Sequence, residues 1–153
     1  MGNRRTAREY ALQALYMYEL RSTELNLDKP VLLKDVQSLE WVDEDISKET
    51  KEFAANLIKG TINKIVEIDE LINKYSKNWK LDRLAIVDKS ILRMAIYEML
   101  NSNDTHPTII INEAIELAKI YGGDESGQFV NAILDAINKL YINSNSNANA
   151  GNN

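Results

Sequence analysis

Three arginines, Arg4, Arg5 and Arg8, open the chain with no acid among residues 1–8. A guanidinium is a planar fork of donors that can grip a phosphate bidentately or stack on a base. At helical spacing, Arg5, Arg8, Leu12, Tyr16 and Glu19 form one stripe of a first helix, setting two arginines beside an aromatic platform. That combination suits a single-stranded RNA surface; the competing reading is an ordinary solvated face with one partly buried tyrosine. On an exposed stripe, Arg5 and Arg8 are both expected to be replaceable without unfolding the chain.

Other routes to chemistry are poor. Catalysis needs an activated nucleophile, a positioned acid/base pair or a metal. The chain has no cysteine and a single histidine, His106, which directly precedes Pro107 in a polar loop and is expected to be solvent-exposed. The run Asp43-Glu44-Asp45 lacks the glycine and alternating oxygen ligands of a calcium loop, so it reads as a solvated charge run. Gly122-Gly123 follows a helical pattern instead of a strand and is no nucleotide fingerprint. The sequence therefore predicts no catalytic residue, no metal site, no cofactor and no enzymatic activity.

These residues must be positioned by helices. With 44% hydrophobic and 27% charged residues in 153, the composition is that of one globular domain. Ala7, Tyr10, Ala11, Ala14, Leu15 and Tyr18 recur at i, i+3, i+4, i+7 and predict a helix over about Arg4–Arg21. An acidic region with Pro30 follows, with a short helix in Pro30–Leu39. A long helix is then expected from Ser47 to Ser76, with Gly60 as a site of close packing or a slight bend. Further helices are expected over Asp82–Asn101, from Pro107 at a first turn to Gly122-Gly123, and from Asp124 or Ser126 through Tyr141. The fold class is all-α, with about seven helices in residues 1–142. Trp79 is assigned to the core, and Asn131 to an internal hydrogen bond. Arg93 and Glu98 are assigned to intramolecular polar networks. Asn143–Asn153 is low-complexity and is expected to be a disordered tail.

Charge and hydropathy bound the surroundings. The net charge is −5, and residues 24–49 hold eight acids against three lysines, so a basic arm stands on an acidic body. No apolar run approaches the roughly 20 residues of a membrane span, and Met1–Arg8 lacks the apolar stretch of a signal peptide. No membrane association is expected, and the cytoplasm is the expected compartment.

Three segments resemble one family. Arg4-Arg5-Thr6-Ala7-Arg8-Glu9-Tyr10-Ala11-Leu12-Gln13-Ala14-Leu15-Tyr16 resembles the arginine-rich opening helix of the NusB family of bacterial transcription antitermination factors. Val87-Asp88-Lys89-Ser90-Ile91-Leu92-Arg93-Met94-Ala95-Ile96-Tyr97-Glu98 is similar to its central segment. Ile111-Asn112-Glu113-Ala114-Ile115-Glu116-Leu117-Ala118-Lys119, followed by Phe129-Val130-Asn131-Ala132-Ile133-Leu134-Asp135, resembles its C-terminal signature. The resemblance implies two packed helical bundles and a non-enzymatic role. It implies binding of boxA, a short single-stranded element of nascent ribosomal RNA leaders, together with the small-subunit ribosomal protein NusE. It further implies a place in the antitermination complex of RNA polymerase, as a monomer or a homodimer.

Carried over residue by residue, Arg4, Arg5 and Arg8 are the arginine-rich motif. Tyr75, Glu125 and Phe129 match further positions on the RNA side, and Tyr16 and Asp88 match positions linked to NusE. Asp88 has a second reading, a residue near a helix N-terminus favoured by the dipole. On that reading its reversal to lysine is expected to cost the fold only about 1 kcal/mol. Asn112 and Glu113 equally suit helix capping, and Glu116–Lys119 a surface pair. Two other uses of such a fold are an RNA-positioning domain of a ribosomal RNA methyltransferase system and a helical scaffold that binds only protein.

Overall fold

A computed structural model describes residues 2–23, 46–76, 84–102 and 104–142. The short helix in Pro30–Leu39, the acidic run Asp43–Asp45, Trp79 and the tail Asn143–Asn153 lie outside the described residues. Among those described there are six α-helices and no strand: α1 (Gly2–Thr23), α2 (Lys48–Asn63), α3 (Ile65–Tyr75), α4 (Ile86–Asn101), α5 (Pro107–Gly122) and α6 (Asp124–Ile137). A π-turn, Asn138–Ile142, extends α6.

Helix boundaries follow local chemistry. Ser47 caps α2 by accepting from the Thr50 N–H, and Pro107 sits in the first turn of α5, where its missing N–H costs nothing. His106 is exposed as expected, and it has a structural task as well: its Nδ1 accepts from the Thr108 N–H at 3.1 Å and caps α5. Gly123, with φ of +97°, ends α5 and starts α6, a backbone conformation that a residue with a Cβ adopts only under strain.

The single long helix expected over Ser47–Ser76 is two helices. The chain turns at Lys64, whose N–H bonds back to Gly60 and whose carbonyl accepts from the Ile68 N–H at 3.0 Å. Gly60 provides the close packing: a Cβ there would overlap the ring of Tyr97 on α4.

Helix α4 is the hub, touching the other five helices, and α1–α2 and α5–α6 are the most extensive remaining pairings. Two helix groups thus share α4. Ile91, Leu92, Met94, Ala95 and Ile96 are all buried in succession, as a helix enclosed on every side requires. Helix α1 buries Ala7, Ala11, Ala14, Leu15 and Tyr18 of its expected stripe, and the sixth member, Tyr10, is half-buried against the core. It packs on both α2 and α4, however, and so buries a second side.

Candidate nucleic-acid and partner interface

That second buried side changes the meaning of the arginines. Arg8, Leu12 and Glu19, placed by spacing alone on an exposed stripe, are buried. Arg8 donates from Nε to Glu98 Oε1 at 2.9 Å and from Nη2 to Glu98 Oε2 at 2.5 Å, a fork closed on a carboxylate of α4. Arg8 is thus committed to the interior, and the expectation that it can be replaced without harm to the fold is corrected. Glu19 also leaves the surface stripe. It takes hydrogen bonds from Lys89 Nζ at 2.8 Å and Arg93 Nη1 at 2.6 Å, while Arg93 grips Asp69 of α3 with Nε and Nη2. Burial alone would raise the Glu19 pKa, but the two cations outweigh it and hold the carboxyl below its ordinary range. Arg93 and Glu98 sit in intramolecular networks, as expected.

The other two arginines stay accessible, but neither is unpaired. Arg5 binds Glu113 of α5 through Nε and Nη2, and the two side chains are 34% and 25% exposed. The hydrogen bonds from Arg5 hold the Glu113 carboxyl below the usual range. Arg4, about half exposed, reaches Thr105 Oγ1 at 2.8 Å and Asp104 Oδ2 at 3.2 Å in the segment before α5. Phe53 of α2 lies beneath this edge, with the Arg4 and Arg8 guanidinium carbons 4.9 and 5.5 Å from its ring centroid. The cationic N-terminus therefore meets three carboxylates in the fold, Asp104, Glu98 and Glu113. Sequence reasoning missed Phe53, a lone aromatic in an amphipathic helix with no spacing signal of its own. The capping side chain of α5 is His106, and Glu113, for which capping is the sequence-based alternative, pairs with Arg5 instead.

The remaining expected RNA-side residues lie on other helices. Tyr75 is half-buried at the end of α3, with Lys74 Nζ 5.4 Å from its ring centroid. Glu125 is exposed in the first turn of α6, and Phe129 is half-buried one turn on. Helices α3 and α6 pack on one another. Asn131 is exposed on α6, which corrects the internal hydrogen bond expected of it. Lys119 and Glu116 form the expected surface pair at 3.9 Å.

Further along α1 is a groove. Leu12, Gln13, Tyr16 and Met17 of α1, Ala85, Ile86 and Val87 at the start of α4, and Tyr121 of α5 enclose a largely apolar cavity of about 760 Å³. Tyr16 and Tyr121 remain 40% and 45% exposed on its walls. Asp88, next to Val87, is buried near the α5–α6 junction. Ser126 and Asp88 both lie against Gly122, yet the Asp88 Oδ1 has no hydrogen-bond partner among the described residues. Burial therefore raises the Asp88 pKa. A lysine in that position would have to be buried, so reversal should cost more than the dipole scale expected from sequence. Among the described residues no group of three or more His, Asp or Glu is placed to hold a metal ion, and no helix is long and apolar enough to cross a membrane.

Comparison with known proteins accords with this arrangement. The NusB family model matches residues 5–139. The transcription antitermination protein NusB of Desulforapulum autotrophicum is 43% identical over 140 residues, covering 92% of this chain and 94% of that protein. The one from Elusimicrobium minutum is 42% identical over 141 residues, covering 91% and 95%. Among solved structures, T. maritima NusB superposes with a TM-score of 0.77 at 40% identity, covering 89% of this chain and 90% of that one. A crystal structure of antitermination factors NusB and NusE in complex with double-stranded RNA superposes with a TM-score of 0.75 at 30% identity, covering 92% and 99%. With the match spanning the arginine edge, the central helix and the C-terminal pair, this chain belongs to the NusB family.

Proposed function

We propose that the protein is a non-enzymatic transcription antitermination factor. With the ribosomal protein NusE it binds boxA-type RNA in nascent ribosomal RNA leaders and helps RNA polymerase resist termination. This role places it in the cytoplasm, where those transcripts are made. The observation that carries the reading is the layout of α1. Arg5 and Tyr16 are eleven residues apart, about three helical turns, so they share a face about 16 Å from one another along the axis. One helix therefore presents an arginine edge over Phe53 and, beside it, an apolar groove suited to a protein partner.

The charge balance explains why a partner is needed. The chain carries a net −5, and its N-terminal arginines are paired within the fold. RNA binding by the chain alone is then weak, and a basic ribosomal protein seated in the groove extends the positive surface toward the RNA. In this reading Arg4 and Arg5 meet phosphates, and Tyr75, Glu125 and Phe129 form a further RNA-side surface. Tyr16 faces NusE, Asp88 supports the groove from beneath as a buried residue at the start of α4, and Arg8 holds the edge in place from the interior. Titration of single- and double-stranded boxA RNA with and without NusE tests it. NusE should tighten binding, and Arg5→Ala should lower the log–log salt slope on single strands by about 0.7, one phosphate contact. Tyr16→Asp should weaken NusE binding while leaving helical content intact. RNA affinity indifferent to both NusE and Arg5 would overturn the proposal.

A further inference from the structure

Resting on that reading, the structure points to a regulator of the RNA edge within the chain. We propose that Glu113 is an intramolecular competitor of RNA phosphate, occupying the fork of Arg5 until a phosphate replaces it. A carboxylate and a phosphate present the same pair of oxygens to a guanidinium, and bidentate pairing is the strongest arrangement for either. Glu113 uses both oxygens on Arg5 Nε and Nη2, and Oε2 also stands 4.0 Å from Arg8 Nη1. It is the carboxylate that shields Arg5, since Arg8 already has Glu98. Glu9 and Glu116 add their fields around Arg5 without bonding to it.

The exchange is feasible because the pair is partly solvated. Side chains 34% and 25% exposed can separate into water, whereas the Arg8–Glu98 pair cannot without leaving buried charge. The exchange also has a consequence for selectivity. A ligand that cannot fill both positions of the fork leaves Glu113 in place, so Arg5 rewards a well-placed backbone phosphate over diffuse negative charge.

Glu113→Gln, Glu116→Gln, Arg5→Ala and the double variant Glu113→Gln/Arg5→Ala test the exchange, each checked for folding by circular dichroism. Affinity for boxA RNA is measured on the full chain with NusE present. Glu113→Gln should tighten binding about three- to fivefold, the scale of a partly exposed ion pair. Glu116→Gln removes the same charge outside the fork and should change affinity less than about twofold. In the Arg5→Ala background the Glu113→Gln gain should vanish. Weaker or equal binding by Glu113→Gln would make Glu113 a positioning residue and overturn the exchange. A gain that persists without Arg5 would reduce it to general repulsion and overturn it equally. Loss of affinity in Arg5→Ala without a gain in Glu113→Gln refutes the exchange alone. No RNA binding by any complex refutes the functional reading beneath it.

Discussion

Glu98→Ala should destabilise this protein more than any change to the accessible arginines. Arg8 and Glu98 are 6% and 5% exposed, and the substitution leaves the Arg8 guanidinium in the interior without its bidentate partner. Among the described residues the other carboxylate within reach is Glu113, 4.0 Å from Nη1 and already engaged by Arg5. Breaking one side of a buried pair costs about 3–5 kcal/mol, because the surviving charge keeps its desolvation penalty. Against a total stability of about 5–15 kcal/mol this is a large share, and for a chain of this size it lowers Tm by on the order of 10 °C. Arg5→Ala, at a half-solvated pair, should cost no more than about 1 kcal/mol. Urea unfolding followed by circular dichroism measures both. The double change Arg8→Met/Glu98→Leu should recover much of the loss, since it removes both charges and fills the space. Glu98→Ala within about 1 kcal/mol of the parent, or Arg5→Ala equal to it, would refute the division of the arginines into buried and accessible.

Three further outcomes are expected. Gly60→Ala should destabilise by about 1–3 kcal/mol, read by the same unfolding curve, because its Cβ meets the Tyr97 ring; Tyr97→Leu in the same chain should relieve part of the loss. Asp88→Asn should be more stable than the parent at pH 7. Burial raises the Asp88 pKa in the fold, so ionisation above the unfolded pKa costs stability, and the difference should shrink as pH falls and the parent carboxyl is protonated. The same change should weaken NusE binding in calorimetric titration. Glu19→Gln should be less stable than the parent at neutral pH. The lowered Glu19 pKa contributes stability above the unfolded value and loses it as pH falls through the folded one, so the two stability curves should converge in acid.

Features that depend on periodicity and on local chain chemistry could be read before any helix was packed. Ala7 through Tyr18 and Ile110 through Ala118 repeat at the helical period and are buried as that period requires. Pro107 and Gly123 delimit α5 by properties of their own backbones, and the quoted motifs sufficed for the family. Arg4, Arg5 and Tyr16 were also legible as accessible residues of α1. Which arginine is accessible to a ligand depends instead on how the helices pack. A helical wheel gives the angle between residues but not how many sides of a helix are covered, and α1 packs on both α2 and α4, so Arg8, Leu12 and Glu19 left the surface. The carboxylates that pair with the arginines lie far along the chain, Glu98 ninety residues from Arg8 and Glu113 one hundred and eight from Arg5. No local pattern marks such pairs, because Coulomb attraction and burial depend on distances that exist only after the helices have packed.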